Sequence, residues 1–106
     1  MHQIIIETTN RKAAEEAARV LNEIDNVDVI EGRNFSGEIS TIEIYLPLIT
    51  SVIVAVVPII TSLINKYKMS SIKIDGNKLE LTNISSELAE NVLRQYLRDH
   101  QDKDEN

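Results

Sequence analysis

Two histidines, a serine pair, neighbouring acids and one polar loop are the residues with which this chain could do chemistry. His2 and His100 have the side chain of a general base or metal ligand, but they stand at opposite ends of the sequence. A joint role is not expected of them. Ser85-Ser86 reads as the start of a helix rather than a nucleophile, because no histidine or lysine base is matched to it. Gly32, Gly37 and Gly76 are isolated, and none opens a helix after a strand in the pattern of a phosphate-cradling loop. Glu15-Glu16 falls within a charged helix face. Arg33 and Asn34 sit in a polar loop, Arg33 to Gly37, that has the groups to touch a ligand but reads as an ordinary connection. With no cysteine there is no disulfide framework, zinc-thiolate site or cysteine nucleophile. The expectation is a protein that is not an enzyme, with no catalytic residue, no metal ligand and no cofactor.

Charge narrows the partners. The 11 Lys and Arg are scattered among 17 Asp and Glu, giving a net charge of -6. Phosphate binding needs a concentrated basic surface, so nucleic acid is not an expected partner. The first residues, Met1 to Glu7, show no basic region and no cleavage site, and a cytoplasmic location is expected.

The elements that would position any site follow from periodicity. At 106 residues, with 42% hydrophobic content, the chain reads as one domain over 1–98 and a disordered acidic tail over 99–106. Ile4 to Ile6 is a short β-branched run, expected as a buried strand. Thr8 or Thr9 then caps a helix whose inner face is Ala13, Ala14, Ala17, Ala18, Leu21 and Ile24, with Glu15 and Arg19 spaced as an i,i+4 pair. A second strand runs from Asn26 through Val27, Val29 and Ile30 to about Gly32. Residues 39–46 alternate like a strand yet also continue into an apolar run. A short extended stretch ending at Pro47 is favoured, since the residue before proline avoids helical angles. Near the end, Gly76-Asn77 as a two-residue turn would pair Ile74 with Leu79 and Ile72 with Leu81. Ser85 caps a last helix with the stripe Leu88, Ala89, Val92, Leu93, Tyr96 and Leu97. The expected fold is α+β. It has about four strands and three helices, in the order β-α-β-(extended segment)-α-β-β-α, with the long apolar helix packed on the sheet.

That apolar run, Ile44 to Asn65, is twenty-two residues without a charge, fifteen of them apolar. Its length is enough to cross a bilayer. At 100 degrees per residue, however, Pro47 to Asn65 separates into two arcs. Leu48, Ile49, Val52, Ile53, Val56, Val57, Ile59, Ile60, Leu63 and Ile64 form one arc. Burying these ten side chains would contribute on the order of 15 to 30 kcal/mol before entropy is charged. Pro47, Thr50, Ser51, Val54, Ala55, Pro58, Thr61, Ser62 and Asn65 form the other. Pro47 suits a first helical turn, and Pro58 forces a bend. The second arc carries no charge, which makes Thr50, Ser51, Ala55, Pro58, Thr61 and Ser62 the candidate interface for a protein partner or for self-association. The competing reading has residues 33–46 fold over this face.

From Ile4 to Arg98 the order of elements resembles the effector-associated constant component domains of bacterial conflict systems. The helix Leu48 to Ile64 with its basic end Lys66-Tyr67-Lys68, the hairpin Ile72 to Leu81 and the helix Leu88 to Leu97 carry the resemblance. It implies a small cytoplasmic bacterial adaptor that couples a sensor to an effector by protein binding. Two alternatives stand beside it. One is a membrane-associated protein with residues 44–65 inserted, and the other an acidic inhibitor of phage or immunity type.

Overall fold

The computed structural model describes residues 1–33, 38–67, 69–81 and 85–101. Eight elements follow in order: β1 (His2–Thr8), α1 (Arg11–Leu21), β2 (Asp28–Arg33), β3 (Ser40–Leu46), α2 (Thr50–Lys66), β4 (Ser71–Ile74), β5 (Asn77–Glu80) and α3 (Ser86–Asp99). The strands form one antiparallel sheet in the order β2-β3-β1-β4-β5.

The sheet has five strands where four were expected. The extended stretch over 39–46 is not a connection but β3, paired with β1 on one side and β2 on the other. Ser40, Ile42, Ile44 and Leu46 are all buried, and the residues between them are half-exposed. This alternation is the pattern of a strand with one covered face. With β3 inserted between β1 and β2, and β1 between β3 and β4, the first six elements make two interleaved split βαβ units, the ferredoxin-like order. The hairpin β4–β5 and α3 extend that unit at the β4 edge.

One face of the sheet is the core. Rows of aliphatic residues run across it: Val29, Ile44, Ile4 and Ile74 in one, and Ile42, Ile6, Ile72 and Leu79 in the next. The buried residues of all three helices join this same cluster. Ala13, Ala14 and Ala17 of α1 are fully buried, so the small inner face does allow close approach. Of the expected aliphatic arc of α2, every member is buried or partly buried. The opposite sheet face carries Gln3, Ile5, Glu7, Glu43, Tyr45 and Lys73 and is half-exposed.

Several local readings are corrected. The cap of α1 is Asn10, whose Oδ1 accepts from the amides of Lys12 and Ala13, while Thr8 Oγ1 accepts from the Asn10 amide. Glu15 pairs with Arg11 at 3.3 Å rather than with Arg19. Pro47 precedes α2, whose first helical residue is Thr50 after an Ile49 cap with no side-chain bond. Arg33 closes β2, and the rest of the expected loop, 34–37, lies outside the described residues. Asp99 ends α3 and Gln101 follows it, so of the expected tail only 102–106 lie outside the described residues.

The hairpin turn is Asp75-Gly76, not Gly76-Asn77. Ile74 pairs with Asn77, Lys73 with Lys78 and Ile72 with Leu79. The expected pairing is slipped by two residues, and a two-residue slip returns every side chain to its own face, so polarity does not distinguish the registers. Backbone conformation does. Asp75 and Gly76 both take positive φ, 48° and 90°, as a type I′ turn requires.

The same turn gathers both histidines. Asp75 accepts from the Gln3 amide at 2.9 Å and lies 2.6 Å from His2 Nδ1. His100 stacks on Tyr96 at 4.0 Å, and Tyr96 Oη lies within bonding distance of the Ile74 carbonyl and Asn77 Nδ2. Burial pushes the Asp75 carboxyl up, but the Gln3 amide and His2, helped by the charge of His100, outweigh it and hold the group below its ordinary value. His2 therefore contacts this turn directly and His100 reaches it through Tyr96, which their separation in sequence did not suggest.

Two outcomes follow. A depressed carboxyl contributes stability above its unfolded value and loses it as pH falls through the folded one. Urea unfolding of Asp75→Asn is therefore expected to show lower stability at neutral pH and a flatter fall below about pH 4 than wild type. Gly76→Ala, with nothing within 4 Å of the added carbon, is expected to cost about 1–2 kcal/mol from backbone conformation alone.

Candidate functional site

The charge-free side of α2 is the candidate. Nothing caps this helix at its start, so it is held in place by what it buries: Val52, Val56, Val57, Ile60 and Leu63 face the sheet and the flanking helices. The register this imposes sends Ser51, Val54, Pro58, Ser62 and Asn65 outward, all exposed. Val54 is 65% exposed, the highest value among the large apolar residues after Met1. Pro58 has no N–H to give the Val54 carbonyl, so the helix backbone is interrupted on this outward side.

The borders of the strip differ from the expectation. Ala55 is half-buried on the side of α1, and Thr50, though exposed, accepts a hydrogen bond from Gln101 Nε2 at 2.8 Å. Thr61, three turns beyond Thr50 on the same border, is only 8% exposed. Its hydroxyl donates to the Val57 carbonyl at 2.8 Å, the back-bond that lets a threonine sit inside a helix contact. Thr61 is thus removed from the candidate interface. Thr50, Ser51, Ala55, Pro58 and Ser62 remain on it, joined by Val54 and Asn65.

Residues 40–46 do not cover this strip, because they form β3 within the sheet. The apolar run is divided among β3, the link over 47–49 and α2, and no helix among the described residues is long and apolar enough to cross a membrane.

The surroundings of the strip carry charge. Toward α3, Arg94 and Arg98 border a depression of about 90 Å³ together with Thr50, Ile53, Val54 and Gln101. Arg94 pairs with Glu90 at 2.7 Å. Sequence reading missed these two arginines as neighbours of the strip, although Arg94, Arg98 and Gln101 share one helical side by their i,i+4,i+7 spacing. At the far end Lys66 Nζ donates to Glu16 at 2.9 Å and Tyr67 Oη donates to the same oxygen at 3.1 Å. The Lys66 hydrogen bond lowers the Glu16 carboxyl and raises the Lys66 amine. This pair locks the end of α2 to α1.

Ser51 and Ser62 have no base among their described contacts, and no group of three or more acids or histidines placed to hold a metal ion occurs among the described residues. The Val54→Lys and Thr61→Lys pair tests the boundary. Val54→Lys is expected to change unfolding free energy by less than about 0.5 kcal/mol. Thr61→Lys, which would bury an unpaired charge, is expected to cost about 3 kcal/mol or more.

No protein-family model matches this sequence, and no curated protein compared with it matches.

Proposed function

We propose that this chain is a noncatalytic protein-interaction module, an adaptor whose binding surface is the outward strip of α2. One observation carries the reading. Three turns of helix lie exposed at Ser51, Val54, Pro58 and Ser62 without a charged residue, while the exposed residues of α1 are all charged and α3 exposes Glu87, Arg94, Arg98 and Asp99. Solvent alone gives no reason to keep charge off one helix of three. Small and hydroxylic side chains permit a close approach by another backbone, and Arg94 and Arg98 at the border favour a partner with acidic groups beside an apolar contact. A role coupling a sensor to an effector in bacterial conflict or signalling, as the resemblance to effector-associated constant component domains implies, fits a surface of this kind.

The acidic-inhibitor reading draws less support. The open sheet face carries Glu7, Asp28 and Glu43, but Lys73 and Lys78 interrupt them, so no continuous acidic array forms. A membrane-inserted form would have to withdraw the aliphatic face of α2 from the core.

A photo-crosslinking side chain at Ser62 is expected to capture a discrete protein partner. Val54→Lys is expected to abolish that capture while leaving the circular dichroism and urea midpoint unchanged. Capture that persists undiminished in a folded Val54→Lys variant would falsify the assignment of this strip.

A further inference from the structure

We infer that β5 is a self-complementary edge through which two copies of this chain pair, extending both sheets into one across a twofold axis at Leu79. Backbone polarity is the first ground. The Leu81 amide donates to the Ser70 carbonyl, so by the alternation of an antiparallel ladder Leu79 and Asn77 also turn their amides toward β4. Lys78 and Glu80 therefore turn theirs away from the sheet, where no other strand among the described residues meets them.

A twofold axis that keeps the helices of both copies on the same side must pair residues of equal facing, and so must pass through a residue rather than between two. Centred on Lys78 it opposes two lysines, and centred on Glu80 it opposes two glutamates. Centred on Leu79 it sets Lys78 against the second copy's Glu80 twice over. These are also the residues whose amides and carbonyls point outward, so the same register satisfies four backbone hydrogen bonds.

The open sheet face extends the match. Lys73 lies beside Lys78 in one row, and Glu7, Ser71 and Glu80 form the next. Within one chain Lys78 stands beside Lys73 and has Glu80 of its own strand at 3.3 Å. Across the axis, each basic row runs on into the acidic row of the other copy. On the helix side, Leu88 and Val92 are 49% and 38% exposed on the shoulder of α3 turned away from Arg94, Arg98 and α2. Tyr96, one turn beyond Val92 on the same helix, ties α3 to the β4–β5 turn. The pairing uses a surface separate from the α2 strip and does not depend on it.

Sedimentation equilibrium over a concentration series reaching the millimolar range is the test. Wild type is expected to be a dimer, and Lys78→Glu and Glu80→Lys are each expected to raise its dissociation constant at least tenfold. The double exchange Lys78→Glu/Glu80→Lys restores opposite charges in the same register and is expected to recover most of the loss. Val54→Lys is expected to leave the dimer intact. A wild type that stays monomeric throughout overturns the inference. So does a dimer indifferent to the single exchanges, or a double exchange as weak as either single one.

Discussion

The whole fold depends on burying one aliphatic helix face against one sheet face. α2 brings the largest apolar surface of any helix, and only a sheet that presents unbroken rows of Ile and Val can receive it. Those rows exist because β1, β3 and β4 keep the same side chains inward at every second position. A one-residue slip in any of the three would send its isoleucines to the open face. The helix in turn has no capping side chain and an interior proline, so its own local energy is poor. Sheet and helix are each specified mainly by the other.

That dependence explains how much could be read in advance. The inward arc of α2 was legible because it is large, and the Ala face of α1 because its period is regular. β3 was harder. Ile42, Ile44 and Leu46 alternate as a strand does, but the apolar run continues past Pro47, and a one-dimensional pattern does not say whether an extended segment joins a sheet or merely leads to a helix. The pairing of β3 with β1 and β2 is decided between distant residues, and no local signal encodes it.

The candidate surface was legible in part for a similar reason. The wheel places Thr50, Ser51, Pro58 and Ser62 on the polar arc, and there they stay. It also places Thr61 there, but a wheel gives an angle and not the position of a neighbour. Packing at the border of the arc buries this residue, and its hydroxyl bonds back to the Val57 carbonyl. The borders of an amphipathic helix are where tertiary packing overrides periodicity. The arginines beside the strip were hidden for the same reason, since they belong to a different helix, separated from α2 by the β4–β5 hairpin. The turn at Asp75 was hidden differently: three adjacent residues, Asp75, Gly76 and Asn77, all suit a tight turn, and the pair that takes positive φ is also the one whose Asp75 contacts Gln3 and His2.

The central position of β1 bears on the order in which the molecule is built. β1 precedes both of its partners in the chain and needs one neighbour that ends at Leu46 and another that ends at Ile74. Contacts of such sequence separation close slowly, because the loops between must be gathered before any pairing repays their entropy. Until β4 exists, Ile4, Ile5 and Ile6 have no complete site. A nascent chain with an early, β-branched and unpaired strand is one that invites pairing with its copies on neighbouring ribosomes. The charges that follow these isoleucines, Glu7 within the strand and the mixed acids and bases of α1, are the nearest brake the sequence supplies.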